Sequence, residues 1–192
     1  MSSIFVITGP SGVGKGTLIA ALRERHPELG LSISATTRAP RPGEADGVAY
    51  YFLSEGEFDR RLDAGEFVEH ATYAGHRYGT LRSELERRTR TGEPVVLEIE
   101  VQGARQVRDA IPAAVLVFIA PPSLAVLRER LESRDTDDPD DIAMRLAAAE
   151  TEMAARDEFR YTVVNDRLDE AIDQLDALYR RLREAALGGT LD

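Results

Sequence analysis

The stretch SIFVITGPSGVGKGT, Ser3 to Thr17, sets the tightest limit on how this chain can fold. A short apolar, β-rich run passes straight into a glycine-rich turn, and TLIAALRERH follows with Leu18, Ala21 and Leu22 at helical spacing. The order is strand, loop, helix. Gly9-Pro10-Ser11-Gly12-Val13-Gly14-Lys15 matches G-x-x-x-x-G-K in the context that gives that pattern its meaning. Glycines let the backbone wrap until several N–H groups face one anion, and the helix N-terminus adds partial positive charge. Such a loop cradles phosphate. Lys15 is the single lysine among 24 basic residues, so the other 23 are arginine. A compact ammonium on a flexible stem can follow β- and γ-phosphate oxygens into a crowded loop where a planar guanidinium fits poorly. Gly16 stands where the general pattern has Ser or Thr for magnesium, so a metal-directed hydroxyl would come from Thr17.

Beyond the loop, LSISATTR reads as a second strand, and two prolines and two glycines break the chain in APRPGEADG. From Val48 to Thr80 the texture is that of a small α+β insertion: AYYFL, a short helix around GEFDRRLDAG, then a strand pair turning near Ala74-Gly75. Alternation then resumes. SELERRTRTG, VQGARQVRDA, PPSLAVLRERLESR, IAMRLAAAETEMAARDEF and LDEAIDQLDALYRRLREAAL read as helices, with PVVLEIE, AAVLVFIA and YTVVND as strands between them. RDTDDPDD reads as a polar loop. Strands that are apolar throughout and alternate with helices predict a parallel sheet covered on both faces.

A length of 192 residues suits one domain. With 43% apolar and 30% charged residues the chain belongs among soluble globular proteins, and no window reaches the length of a membrane span. MSSIFVITGP has no basic leader region, so it reads as a core strand and not as a signal peptide. Without cysteine there is no disulfide framework or thiol chemistry, and a cytoplasmic location fits. The net charge of −10 argues against broad association with nucleic acid or anionic membrane. Cations for an anionic ligand must therefore be gathered locally. His26, His70 and His76 lack metal-ligand spacing.

The segments SISATTRAPRPGEADGVAYYF, EFVEHATYAGHRYGT and LEIEVQGARQV, with RDT, IAMRLAAAE and VVND further on, closely resemble the guanylate kinase family in order and content. The resemblance runs from about Phe5 to Asp166. It implies a phosphate-loop α/β fold, a parallel sheet flanked by helices, with a core at about 1–37, 81–125 and 159–192. It also implies a GMP-binding insertion at about 38–80 and a helical lid at about 126–158. Gly9 to Thr17 would bind ATP, and Asn165 would lie near its base. Arg38, Arg41, Tyr50 and Tyr78 would hold the GMP phosphate, while Ser34, Glu69, Thr80 and Glu100 would face guanine. Guanine offers adjacent N1–H and N2–H donors that one carboxylate can accept together, and adenine lacks that pair. Arg130, Arg134 and Arg145 would join Lys15 and Arg38 around the transferring phosphoryl group. Arg130 and Arg134 are four apart and share a helix face.

Glu98 and Glu100 end a buried strand on one face, and Glu98 is the carboxylate expected to support Mg²⁺, with Thr17. The family more often has Asp at position 100 and Gly at position 135, where this chain has Glu100 and Asp135. The expected reaction is transfer of the γ-phosphoryl group of Mg·ATP to GMP, by a monomer or homodimer. Two rivals stand beside it: a guanylate-kinase-like binding module for phosphorylated peptides, and a phosphate-loop kinase for another acceptor.

Overall fold

The computed structural model describes residues 4–73, 75–132 and 139–188. Its first strand, β1 (Ile4–Thr8), is buried at every position because both of its faces are covered. Phe5 and Ile7 join one apolar cluster and Ile4 and Val6 another, so the two-residue period of one strand feeds two cores. Helix α1 (Lys15–Arg25) follows, starting two residues earlier than its apolar spacing suggested, with Leu18, Ile19 and Leu22 turned inward.

The segment expected as one strand over LSISATTR is divided. Its first part, β2 (Gly30–Leu31), pairs with the main sheet; its second, β3 (Ala35–Thr36), belongs to a separate small sheet. The break lets one stretch of chain leave the core and start the insertion. There β4 (Tyr51–Phe52), α2 (Glu55–Asp63), β5 (Phe67–Tyr73) and β6 (His76–Leu81) follow, the last two forming the expected hairpin. Phe58 stacks on Phe67 at 4.4 Å, which with Leu81 gives the insertion an apolar core of its own. The small sheet runs β4-β3-β6-β5.

The chain returns through α3 (Arg82–Thr89), β7 (Val95–Glu98), α4 (Val101–Ala110), β8 (Val115–Ala120) and α5 (Leu124–Glu132). It ends with α6 (Pro139–Ala154), β9 (Tyr161–Val164) and α7 (Leu168–Gly188). The main sheet is parallel with order β2-β7-β1-β8-β9, as expected for apolar strands separated by helices. Strand β1 lies at its centre. The loop after it therefore opens at the carboxyl edge between β7 and β8, where sheets of this type bind ligands.

Two polar ties set the insertion against the core. Gln106 on α4 accepts from the His70 N–H at 3.1 Å and donates to the His70 carbonyl at 2.6 Å. Buried Glu84 on α3 accepts from the Ile33 N–H, the Tyr51 hydroxyl, Arg87 and Arg88. Burial alone would raise the Glu84 pKa; the two arginines and the other donors reverse this and hold it below the usual range.

Candidate active site

Gly9, Gly12 and Gly14 have φ of 138°, 82° and 95°, a region that side chains rarely adopt. Space is short as well. A Cβ on Gly9 would lie 2.2 Å from the Ile119 carbonyl oxygen, and one on Gly14 would lie 2.7 Å from Asn165 Nδ2. The loop is pressed against β8 and the end of β9, which forces its curl. Asn165 fixes it from behind, donating to the Val13 carbonyl at 2.8 Å. Lys15 is 7% exposed and donates from Nζ to the Gly9 and Pro10 carbonyls at 2.5 and 3.1 Å.

One cleft of about 500 Å³ joins this loop to the insertion. Pro10, Ser11, Gly12, Gly14, Lys15, Gly16 and Thr17 line one end; Ser34, Arg38, Arg41, Tyr50, Glu69 and Tyr78 line the other. Glu98, Glu100 and Arg145 line the same cleft. Residues spread over more than a hundred positions are thus brought together.

At the far end Glu69 is 3% exposed and accepts from Thr80 Oγ1 at 2.7 Å. The pairing of β5 with β6 sets Glu69 opposite Thr80, past an irregularity in register after Phe67. Thr80 is fully buried and meets the cleft through Glu69. Desolvation raises the Glu69 pKa to about 7, Thr80 opposes the rise, and Glu100 adds to it. Beside it, the Tyr50 and Tyr78 rings meet edge to face at 6.0 Å, and the Arg38 guanidinium lies 5.3 Å from the Tyr50 centroid.

Glu98 ends β7 directly beside β1, with Ile7 as its register partner. Its carboxylate oxygens lie 3.7 and 3.8 Å from where a Cβ on Gly16 would stand. Although the side chain opens to the cleft, the surrounding protein pushes its pKa up, with Lys15 opposing and Glu100 assisting. A carboxylate and the Thr17 hydroxyl facing the same loop form an all-oxygen donor set, which fits Mg²⁺ completed by phosphate and water.

Two expected residues stand elsewhere. Asn165 is behind the phosphate loop and does not line the cleft. Arg130 donates to the Asn165 and Asp166 carbonyls at 2.9 and 3.2 Å and so is drawn to the end of β9. Arg134 lies outside the described residues, as does Asp135.

The residue pattern did not reveal Glu44, Tyr73, Gly103 or Glu152. Glu44 and Tyr73 line the cleft, and the Tyr73 hydroxyl sits beside Ser11. Glu152, on α6, sits beside Glu100, and its pKa is raised by burial and by that neighbouring carboxylate. Gly103 lies inside α4, where a Cβ would fall 2.1 Å from Glu69 Oε2. A glycine within a helix costs about 1 kcal/mol relative to alanine and marks a close approach. That was the available signal.

A parallel sheet with its phosphate loop after the central strand, facing a cleft closed by a small acceptor-side sheet, defines a nucleoside monophosphate kinase. Sequence comparison narrows the class: the guanylate kinase family model matches residues 1–182, and the chain belongs to that family. It is 56% identical to the guanylate kinase of Frankia casuarinae over 173 residues, 90% of this chain and 94% of that one. To the guanylate kinase of Gloeobacter violaceus it is 50% identical over 190 residues, 98% and 93% of the two chains. The crystal structure of guanylate kinase from Anaplasma phagocytophilum superposes with a TM-score of 0.76 at 33% identity, covering 94% of this chain and 85% of that one.

Proposed function

We propose that the cleft carries out the reaction of its family, transfer of the γ-phosphoryl group of ATP to the phosphate of GMP. The observation that carries this reading is a single continuous cleft lined by the Lys15 loop at one end and by Arg38, Tyr50, Glu69 and Tyr78 at the other. ATP phosphates take the loop N–H groups, and Lys15 Nζ trades loop carbonyls for phosphate oxygens. GMP lies across the insertion with its guanine N1–H and N2–H on the Glu69 carboxylate and its phosphate among Arg38, Arg41, Tyr50 and Tyr78. Ser34 and Glu100 complete the base contacts, and Thr80 fixes the Glu69 rotamer.

A phosphate monoester has its second pKa at about 6, so the acceptor oxygen is already anionic near neutrality and needs no general base. The obstacle is repulsion between two polyanions brought into line. Lys15, Arg38, Arg41 and Arg145 face the cleft and screen it. Arg130 and Arg134 belong to the segment at 126–158, which we read as the lid, and its closure would have to carry Arg130 from the end of β9 to the phosphates. Glu98 and Thr17 would hold Mg²⁺, which when bound neutralises β- and γ-phosphate charge. The core, insertion and lid take the boundaries given above, and the enzyme works in the cytoplasm.

A coupled assay with ATP and, in turn, GMP, AMP, CMP and UMP tests the reading. Rapid ADP release with GMP alone is expected. Equal rates with AMP would remove Glu69 from base selection, and no turnover with GMP would leave a binding module.

A further inference from the structure

A carboxylate stands among the cations that await the acceptor phosphate. Glu44 lines the cleft, and both of its oxygens accept from Arg38 Nη2, at 2.8 and 2.9 Å. One of them also accepts from the backbone N–H of Arg41 at 2.7 Å. These donors hold the Glu44 pKa below the usual carboxylate range, so it is an anion at neutral pH.

Placing an anion there looks counterproductive until the rest of Arg38 is considered. Its Nη1 donates to the Ala39 carbonyl at 2.8 Å, and its guanidinium lies against the Tyr50 ring. The side chain is therefore fixed from three directions at 11% exposure. Its remaining N–H groups, beside Tyr78, are left for the phosphate, together with the guanidinium of Arg41, which makes no side-chain hydrogen bond among the described residues and lines the same cleft. Two guanidiniums three residues apart repel one another. An anion bonded to one of them and to the backbone of the other keeps both in place.

Resting on the reading that Arg38 and Arg41 grip the GMP phosphate, we propose that Glu44 is a positioning residue for that phosphate. It orders Arg38 and the Arg41 backbone before the nucleotide arrives. The ordering cost is then met during folding instead of being subtracted from GMP affinity. Glu44 keeps this place when GMP binds, because its own N–H donates to the Arg41 carbonyl at 3.0 Å. The carboxylate also accepts from the Arg41 N–H within that same turn, which holds it beside Arg38.

The test is direct binding of GMP and of guanosine, measured separately by calorimetry on the wild-type chain, Glu44→Ala and Glu44→Gln. Glu44→Ala is expected to weaken GMP by about tenfold, since charge-assisted hydrogen bonds orient the phosphate ligands. Guanosine binding and the KM for ATP should stay within about twofold, since neither involves the acceptor phosphate. Glu44→Gln retains one acceptor oxygen and should recover part of the loss; it also serves if the alanine variant does not fold. Equal weakening of guanosine would show that Glu44 only supports the insertion, and tighter GMP binding would show that it competes with phosphate. Either result, or no change, overturns the proposal. If the wild-type chain itself fails to prefer GMP over guanosine, the assignment of Arg38 and Arg41 to phosphate fails first, and the variants are not needed to see it.

Discussion

The donor end of the cleft is built largely from backbone, whereas the acceptor end is built from side chains. At the donor end the residues that line the cleft all come from one short run, Pro10 to Thr17, three glycines in and beside it take φ above +80°, and shape is imposed by pressure from β8 and Asn165. At the acceptor end Ser34, Arg38, Glu69 and Tyr78 come from separate strands and loops, and their alignment depends on the pairing of β3, β5 and β6. A backbone cradle recognises what all nucleoside triphosphates share. A side-chain pocket can select one base, and its selectivity is correspondingly easier to lose.

The largest effect should come from the donor end. Lys15→Ala should lower kcat by about a hundred- to a thousandfold with every acceptor, as loss of one preorganised transition-state donor does elsewhere. Its melting temperature should stay close to that of the wild type. Retention of wild-type turnover would show that the loop is a structural turn and not the phosphate cradle. Next comes Glu69→Gln, for which kcat/KM with GMP should fall about a hundredfold while the slow rate with AMP is unchanged. Parallel losses with both acceptors would mean that the two ends are not separately built.

Glu69 also gives the acceptor end a pH dependence. Its pKa is raised from 4.5 to about 7, mainly by desolvation. Between those values the folded chain binds a proton that the unfolded chain has released, so this group makes the ligand-free protein less stable as pH rises through the window. If Glu69 accepts from guanine N1–H and N2–H as proposed, guanine needs the ionised carboxylate. Guanosine affinity should therefore rise with pH up to about 7 and level off above it, and Glu69→Gln should flatten the curve. Guanosine is the right probe, since it lacks the phosphate that titrates at about 6. A flat wild-type profile would show that the carboxylate is ionised throughout.

The same contrast explains what could be read from sequence. Gly9 to Lys15 are contiguous and follow a strand into a helix, so their spacing alone predicts a phosphate loop, while apolar strands alternating with helices predict the parallel core that the sheet shows. Arg38, Tyr50 and Tyr78 carry no periodicity that separates them from surface arginines and packing tyrosines. Only resemblance to a family singled them out. Glu44 escaped both approaches, since its importance lies in the bonds to Arg38 and the Arg41 backbone, and local spacing does not encode these. The division of LSISATTR between two sheets was hidden for a related reason. The residues are β-prone throughout, and the break arises from which neighbours each half finds, Val95 and Val96 for β2 but Tyr78 and Gly79 for β3.

Gly103→Ala tests the acceptor end from outside the cleft. The added methyl would fall 2.1 Å from Glu69 Oε2, so the carboxylate must turn or α4 must move. A shift near 1 Å at a recognition group commonly costs about ten- to a hundredfold. The loss should be about tenfold in KM for GMP, with KM for ATP unchanged and the helix itself slightly favoured by alanine. An unaltered KM for GMP would mean that Glu69 has room to move, and that its observed position is not what selects the base.

The smallest expected effect decides what Asn165 does. Family resemblance sets it near the ATP base, yet it is 6% exposed and donates to the Val13 carbonyl inside the loop. A residue that braces the loop affects every triphosphate alike; one that touches the base affects donors according to their bases. Asn165→Ala should raise the KM for ATP by about fivefold, near the loss of one buried hydrogen bond, and leave the KM for GMP alone. Measured with ATP and GTP as alternative donors, the increase should be the same for both. A change confined to ATP would move Asn165 from the brace behind the loop to the base in front of it, and the donor end would then also select by side chain.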